Sequence, residues 1–243
     1  FQRLDRRPGQ SQLAISGAVH KTGARLILLV ASSAITWNMI ATGTIHPMVC
    51  TLGGLIGGLI LAFITFFKKT WAPVTAPLYA IVEGLFVGGV SIMYANIAGP
   101  QGFGGTGGSI VMQAVVLTFG VLFTMLAAYR LGIIRATEKF RMGVVAATGG
   151  IMLFYLIAII LGFFGVNIPH LHEATPLGIG ISVFIIIIAA LNLVLDFDLI
   201  ENGAKQGAPK YMEWFCAFGL IVTLVWLYIE ILRLLAMLAS KRD

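Results

Sequence analysis

With 243 residues, 58 % of them hydrophobic and only 11 % charged, the chain has too little polar surface to stay in water. Soluble domains carry about a quarter charged residues, and a mean hydropathy of +0.96 excludes such a domain here. The net charge of +6 and pI of about 9.6 would point a soluble protein towards nucleic acid; in this chain the basic residues lie between apolar runs, where they act as topology signals, so nucleic acid is not an expected partner.

A helix crosses the hydrocarbon layer with about 20 residues. Runs of that length cover 26–44, 48–67, 75–97, 110–129, 143–166, 177–197 and 213–237. The expectation is an all-α membrane protein, a single seven-transmembrane-helix bundle. It divides into an N-terminal segment 1–25, a transmembrane domain 26–237 and a C-terminal tail 238–243. The first twenty residues hold no apolar core of the kind a secretory signal needs.

Arg3, Arg6, Arg7, Lys21 and Arg25 precede the first run, and Lys68 and Lys69 follow the second. Arg130, Arg135, Lys139 and Arg141 follow the fourth, and Lys205 and Lys210 the sixth. The intervening loops 45–47, 98–109 and 167–176 hold no Lys or Arg. The positive-inside rule then makes the basic side cytoplasmic, with the N-terminus on it. The expected location is the cell (plasma) membrane, multi-pass, with the lipid bilayer as the surrounding partner. Lys241 and Arg242 oppose an outer C-terminus, so a re-entrant last helix stays open beside seven full spans.

Several features read as structural. Gly53, Gly54, Gly57 and Gly58 form overlapping small-xxx-small pairs and predict close helix packing. Residues 99–109 are glycine-rich but lack the lysine and the strand that a phosphate cradle needs, so they read as an outer loop. Cys50 and Cys216 fall near opposite faces and read as packing residues rather than a disulfide. His170, His172 and Glu173 offer metal-ligand types without helical spacing or a fourth ligand. No catalytic constellation is visible, and no enzyme is expected.

Ionisable groups inside spans are costly and are therefore the candidates for function. Glu83 lies about two turns inside the third run. Asp196 and Asp198 close the sixth run, and Glu213 opens the seventh. Asn192 and Asp196, four apart, share a helix face, whereas Asp198 points about 200° away and can belong with Glu201 and Lys205 to a solvated helix end. Gly219, Thr223, Trp226, Glu230 and Arg233 recur at spacings of four and three and form one polar seam. That seam predicts a last helix facing protein or an aqueous path rather than lipid. Glu230 and Arg233, three apart, can pair with each other.

The run Asn192-Leu-Val-Leu-Asp-Phe-Asp-Leu-Ile-Glu201, the segment Tyr211-Met-Glu-Trp214 and the helix ending Ile231-Leu-Arg-Leu-Leu235 resemble the transmembrane Bax inhibitor motif family, in a bacterial branch. Ala76-Pro-Leu-Tyr-Ala-Ile-Val-Glu-Gly84 fits that branch too. The resemblance covers helices 2 to 7. It implies a last helix central among the other six, and a proton-sensitive calcium leak. It also implies a latch in which an Asp at the end of helix 6 pairs with an Asp on helix 7. Asp196 matches the first acid. Anchoring on Arg233 puts the second at Thr223, which cannot ionise, so Glu213 or Glu83 would have to supply the second carboxylate.

Calcium takes oxygen ligands, chiefly carboxylates and carbonyls, which makes Asp196 and Glu83 its candidate ligands; no other cofactor is expected. Two carboxylates held together share a proton near neutrality. The leading expectation is a pH-sensitive, calcium-permeable leak channel, with calcium ions as its partner. The alternatives are a membrane interaction protein that modulates a membrane-protein partner, such as a membrane protease, and a proton-coupled transporter.

Overall fold

A computed structural model of the chain describes residues 12–98, 107–164 and 175–240. Among them are α1 (Ile15–Ala41), α2 (Pro47–Phe67), α3 (Ala72–Ala98), α4 (Gly107–Arg130), α5 (Glu138–Phe163), α6 (Pro176–Lys205) and α7 (Tyr211–Ser240). A single 3-10 turn, Lys69–Trp71, leads into α3. All seven helices are long and apolar enough to cross a membrane, and the described residues form no β-sheet. Helices suit that solvent because each satisfies its own backbone hydrogen bonds. The group His170, His172 and Glu173 and most of the glycine-rich loop lie outside the described residues.

Local chemistry sets the helix ends. At α2, Pro47 occupies the first turn and the His46 ring accepts from Met48 N at 3.2 Å. At α5, the Thr137 hydroxyl accepts from Phe140 N at 3.3 Å. Side-chain acceptors of this kind satisfy the free N–H groups of a first turn. α7 continues without a break for 30 residues, about 45 Å at the α-helical rise, which exceeds the ~30 Å hydrocarbon core. It is therefore long enough for a full span without a break. α1 begins at Ile15, well before the apolar run that starts at 26, so Lys21 and Arg25 lie within the helix rather than ahead of it.

Burial ranks the helices. In the most apolar stretch of α7, 72 % of residues are buried; the figure is 61 % for the third span and 11 % for α5. The last helix is thus largely enclosed by protein, and α5 is mostly left to lipid.

The residues group into two compact units. One comprises Phe1–Met93 and Asp196–Val225. Within it α3 is the packing hub, because its glycines and those of α2 bring backbones together. A Cβ on Gly54 would lie 2.5 Å from the backbone nitrogen of Phe86, and one on Gly84 would lie 2.8 Å from the Leu29 carbonyl. Close contact of this kind is what small residues provide in membranes, where lipid tails are as apolar as leucine. Ser32 Oγ donates to Ile81 O at 2.7 Å, and Thr65 Oγ1 to Thr75 Oγ1 at 2.7 Å, adding polar joints between α1 and α3 and between α2 and α3. The second unit comprises Tyr94–Leu195 and Trp226–Asp243. Its apolar core contains Ile151, Ile185 and Ile188, with Tyr155 and Trp226 packed against them.

Candidate functional site

Three acids of the first unit are held in three different ways. Glu83 is buried on α3, hydrogen-bonded to Tyr79 one turn earlier. Gly58 of α2 makes room for it: a Cβ there would lie 2.5 Å from Glu83 Oε2. Tyr79 is in turn fixed by an edge-on contact with Phe218 of α7, ring centroids 4.9 Å apart. Tyr79 stands four residues before Glu83 in the sequence, so the pair was legible from helical spacing alone.

Asp196, in the last turns of α6, faces Gly219 and Thr223 of α7. Its Oδ1 lies 3.4 Å from where a Gly219 Cβ would be, and the Thr223 side chain is hydrogen-bonded to the carboxylate. The Thr223 hydroxyl also lies 3.2 Å from Gly219 O. Asp196 Oδ2 is buried with no hydrogen-bond partner among the described residues. The expected second carboxylate does not meet Asp196 here: Glu83 is engaged by Tyr79 and Glu213 by α1. Thr223, the position that matches the second acid of the pattern, is the residue that does.

Glu213, in the first turn of α7, is only 2 % exposed. It accepts from Ala14 N at 3.0 Å and forms an ion pair with Lys21, both on α1 or its cap. Gly17 lies directly against the carboxylate, since a Cβ there would come within 2.6 Å of it. Arg25, one turn beyond Lys21, is 1 % exposed and donates from Nη1 to Trp214 O at 3.0 Å. Lys21 and Arg25 both lie over the Trp214 ring, at 4.9 and 4.7 Å from its centroid, a favourable cation–π arrangement. From the sequence Lys21 and Arg25 read as flanking topology charges; their partners, about 190 residues away, give them a packing role as well.

Asp198 and Glu201 are half-buried, and Lys205 Nζ meets Glu201 Oε1 at 2.5 Å along the helix. In the second unit, Asn192 Nδ2 donates to Thr148 Oγ1 at 2.7 Å and to Ile188 O at 2.9 Å, so this amide joins α6 to α5. Glu230 and Arg233 pair at 2.7 Å, and both are buried. The Tyr155 hydroxyl stands between them: it donates to Glu230 Oε1 at 2.6 Å and accepts from Arg233 Nη1 at 2.6 Å. Arg233 Nη2 donates to Ser182 Oγ at 3.1 Å, and Trp226 also bonds Glu230. Tyr155 and Ser182 were not foreseen, because a lone hydroxyl in an apolar run gives little signal.

Chemically, the first unit offers two sets of oxygen donors to a hard cation: the Asp196 carboxylate with the Thr223 hydroxyl, and the Glu83 carboxylate with the Tyr79 hydroxyl. No group of three or more His, Cys, Asp or Glu that could hold a metal occurs among the described residues.

The sequence profile of the family described as Bax inhibitor 1 like matches residues 1–240 of the chain. No curated protein matches it.

Proposed function

The chain belongs to the Bax inhibitor 1 like family, and from that premise we propose that it is a pH-sensitive, calcium-permeable leak channel of the cell membrane, with its N-terminus and basic loops in the cytoplasm. It is a conduit in this reading, without catalysis. The observation that carries the reading is the buried, unpartnered Oδ2 of Asp196 beside the Thr223 hydroxyl. A carboxylate oxygen left without a donor inside a membrane protein is costly, which makes it a candidate for function. A calcium ion or a proton supplies what that oxygen lacks. Proton sensitivity follows from the pairing: an ionised Asp196 accepts from Thr223, whereas a neutral one can donate, and the contact between α6 and α7 changes with it.

The test is calcium flux into liposomes holding the purified protein, over a series of pH values. Wild type should leak calcium with a pH-dependent rate. Asp196→Asn should flatten that dependence while the protein stays folded, and Asp198→Asn should change it much less. Equal effects of the two substitutions would move the site away from Asp196. Folded but silent protein at every pH would remove the channel reading and favour a role in modulating a membrane-protein partner.

A further inference from the structure

The segment ahead of α1 is strapped to the turn between α6 and α7. Leu13 N donates to Ala208 O at 2.8 Å, and Gln12 pairs antiparallel with Pro209. The turn is shaped for this. Gly207 adopts a φ of +64°, which ends α6 in the left-handed conformation that glycine tolerates best. That turn presents the Ala208 carbonyl to Leu13 N. Beneath the strap, Leu13 and Ala18 pack with Ile200, Ala208, Met212 and Cys216.

One carboxylate adds a charged fastening to this arrangement. Glu213 accepts from the cap N–H of α1 at Ala14 and pairs with Lys21, and Gly17 supplies the gap that lets it sit there. Lys210 on the turn also acts on this carboxylate, and Arg25 holds the neighbouring carbonyl of Trp214. Cationic groups thus face Glu213 from α1 and from the α6–α7 turn. An ionised carboxylate holds an ammonium and a helix N-terminus together; a neutral one loses the ion pair and the dipole attraction.

We propose that Glu213 is a proton-operated bolt: ionised, it locks the strap Gln12–Lys21 onto the start of α7 and the α6–α7 turn, and protonated, it releases the strap. The docked state is complete at alkaline pH and is lost as the pH falls through the titration of Glu213. The bolt is separate from the contact of Asp196 with Thr223, and it holds whichever ion the protein passes.

The experiment measures the distance between spin labels at Ser16→Cys and Gln206→Cys, both exposed positions, in full-length protein in liposomes with Cys50 and Cys216 replaced by alanine. In alkaline buffer a single short distance is expected. Acid should cost that component and replace it with a broad, longer distribution. Glu213→Gln should be broad in both buffers, with no response to pH. Gly17→Ala leaves every titratable group in place but puts a methyl where the carboxylate sits, and it should also be broad in both. A short distance that survives acid in the wild type, or survives Glu213→Gln in folded protein, overturns the bolt. So does a pH response that persists in Glu213→Gln.

Discussion

Asp196 of α6 meets Thr223 of α7 at the position where the resemblance places a second acid, so in this chain a carboxyl–hydroxyl contact stands in place of a carboxyl pair. The register inferred from Arg233 locates the contact, while the residue type changes its chemistry. Thr223→Asp should create a coupled acid pair and add a second step to the pH profile of calcium flux. Thr223→Val removes the partner hydroxyl and should lower stability by about 1–3 kcal/mol, read as a lower melting temperature in detergent. A flux profile unchanged by Thr223→Asp would show that the contact lies off the pathway.

The glycines of α2 should respond to alanine in a definite order. Gly54 faces the α3 backbone at Phe86, which cannot step aside; Gly58 faces the end of the Glu83 side chain, which can; Gly53 has nothing within 4 Å. Gly54→Ala should cost about 1–3 kcal/mol, Gly58→Ala less, and Gly53→Ala nothing measurable or a slight gain. Thermal melts of the three proteins test the order. In addition, Gly58→Ala should alter calcium flux if Glu83 lines the path, because the added methyl displaces that carboxylate.

The ion pair of Glu230 and Arg233 should be far more sensitive to loss of one partner than to loss of the bridging hydroxyl. Arg233→Ala leaves a buried carboxylate without its cation and should cost about 3–5 kcal/mol. Tyr155→Phe should cost about 1–3 kcal/mol, since it removes one neutral group that both charges use. Arg233→Lys should fall between them, because an ammonium cannot reach Glu230, Tyr155 and Ser182 with the same fork. Equal melting temperatures for Arg233→Ala and Tyr155→Phe would contradict a charge-based role.

Membrane orientation is open to direct labelling. Single cysteines between α3 and α4, within 99–106, should react with an impermeant thiol reagent on intact cells, and single cysteines in the α6–α7 turn, within 206–210, should not, following the charge asymmetry of the connections. The opposite pattern would invert the protein.

Composition and run length made the seven spans legible, because a membrane leaves a chain few other ways to bury its backbone. The polar seam of α7 was legible too, since Gly219, Thr223, Trp226, Glu230 and Arg233 share a face and each charge on that face is buried. What escaped sequence reasoning depends on distant partners. Residues 15–25 look too polar for a span until Glu213 pairs with Lys21 and the Trp214 carbonyl and ring receive Arg25. The acids near Asp196 look able to cluster until Tyr79 and Lys21 claim Glu83 and Glu213. Asn192 shares a face with Asp196 in sequence, but Thr148 of α5 takes its amide.

The bond from Arg25 to the carbonyl of Trp214 joins residues 189 apart in the chain, and this has a consequence for biosynthesis. When α1 leaves the ribosome, the residue whose carbonyl will accept from its arginine has not been translated. Until then the guanidinium must stay at the hydrated headgroup level, where long basic side chains reach from helix ends. Arg25 and Lys21 can reach Trp214 and Glu213 only once α7 has been made. Nascent chains that stop before residue 211 would present both cations of α1 without these partners.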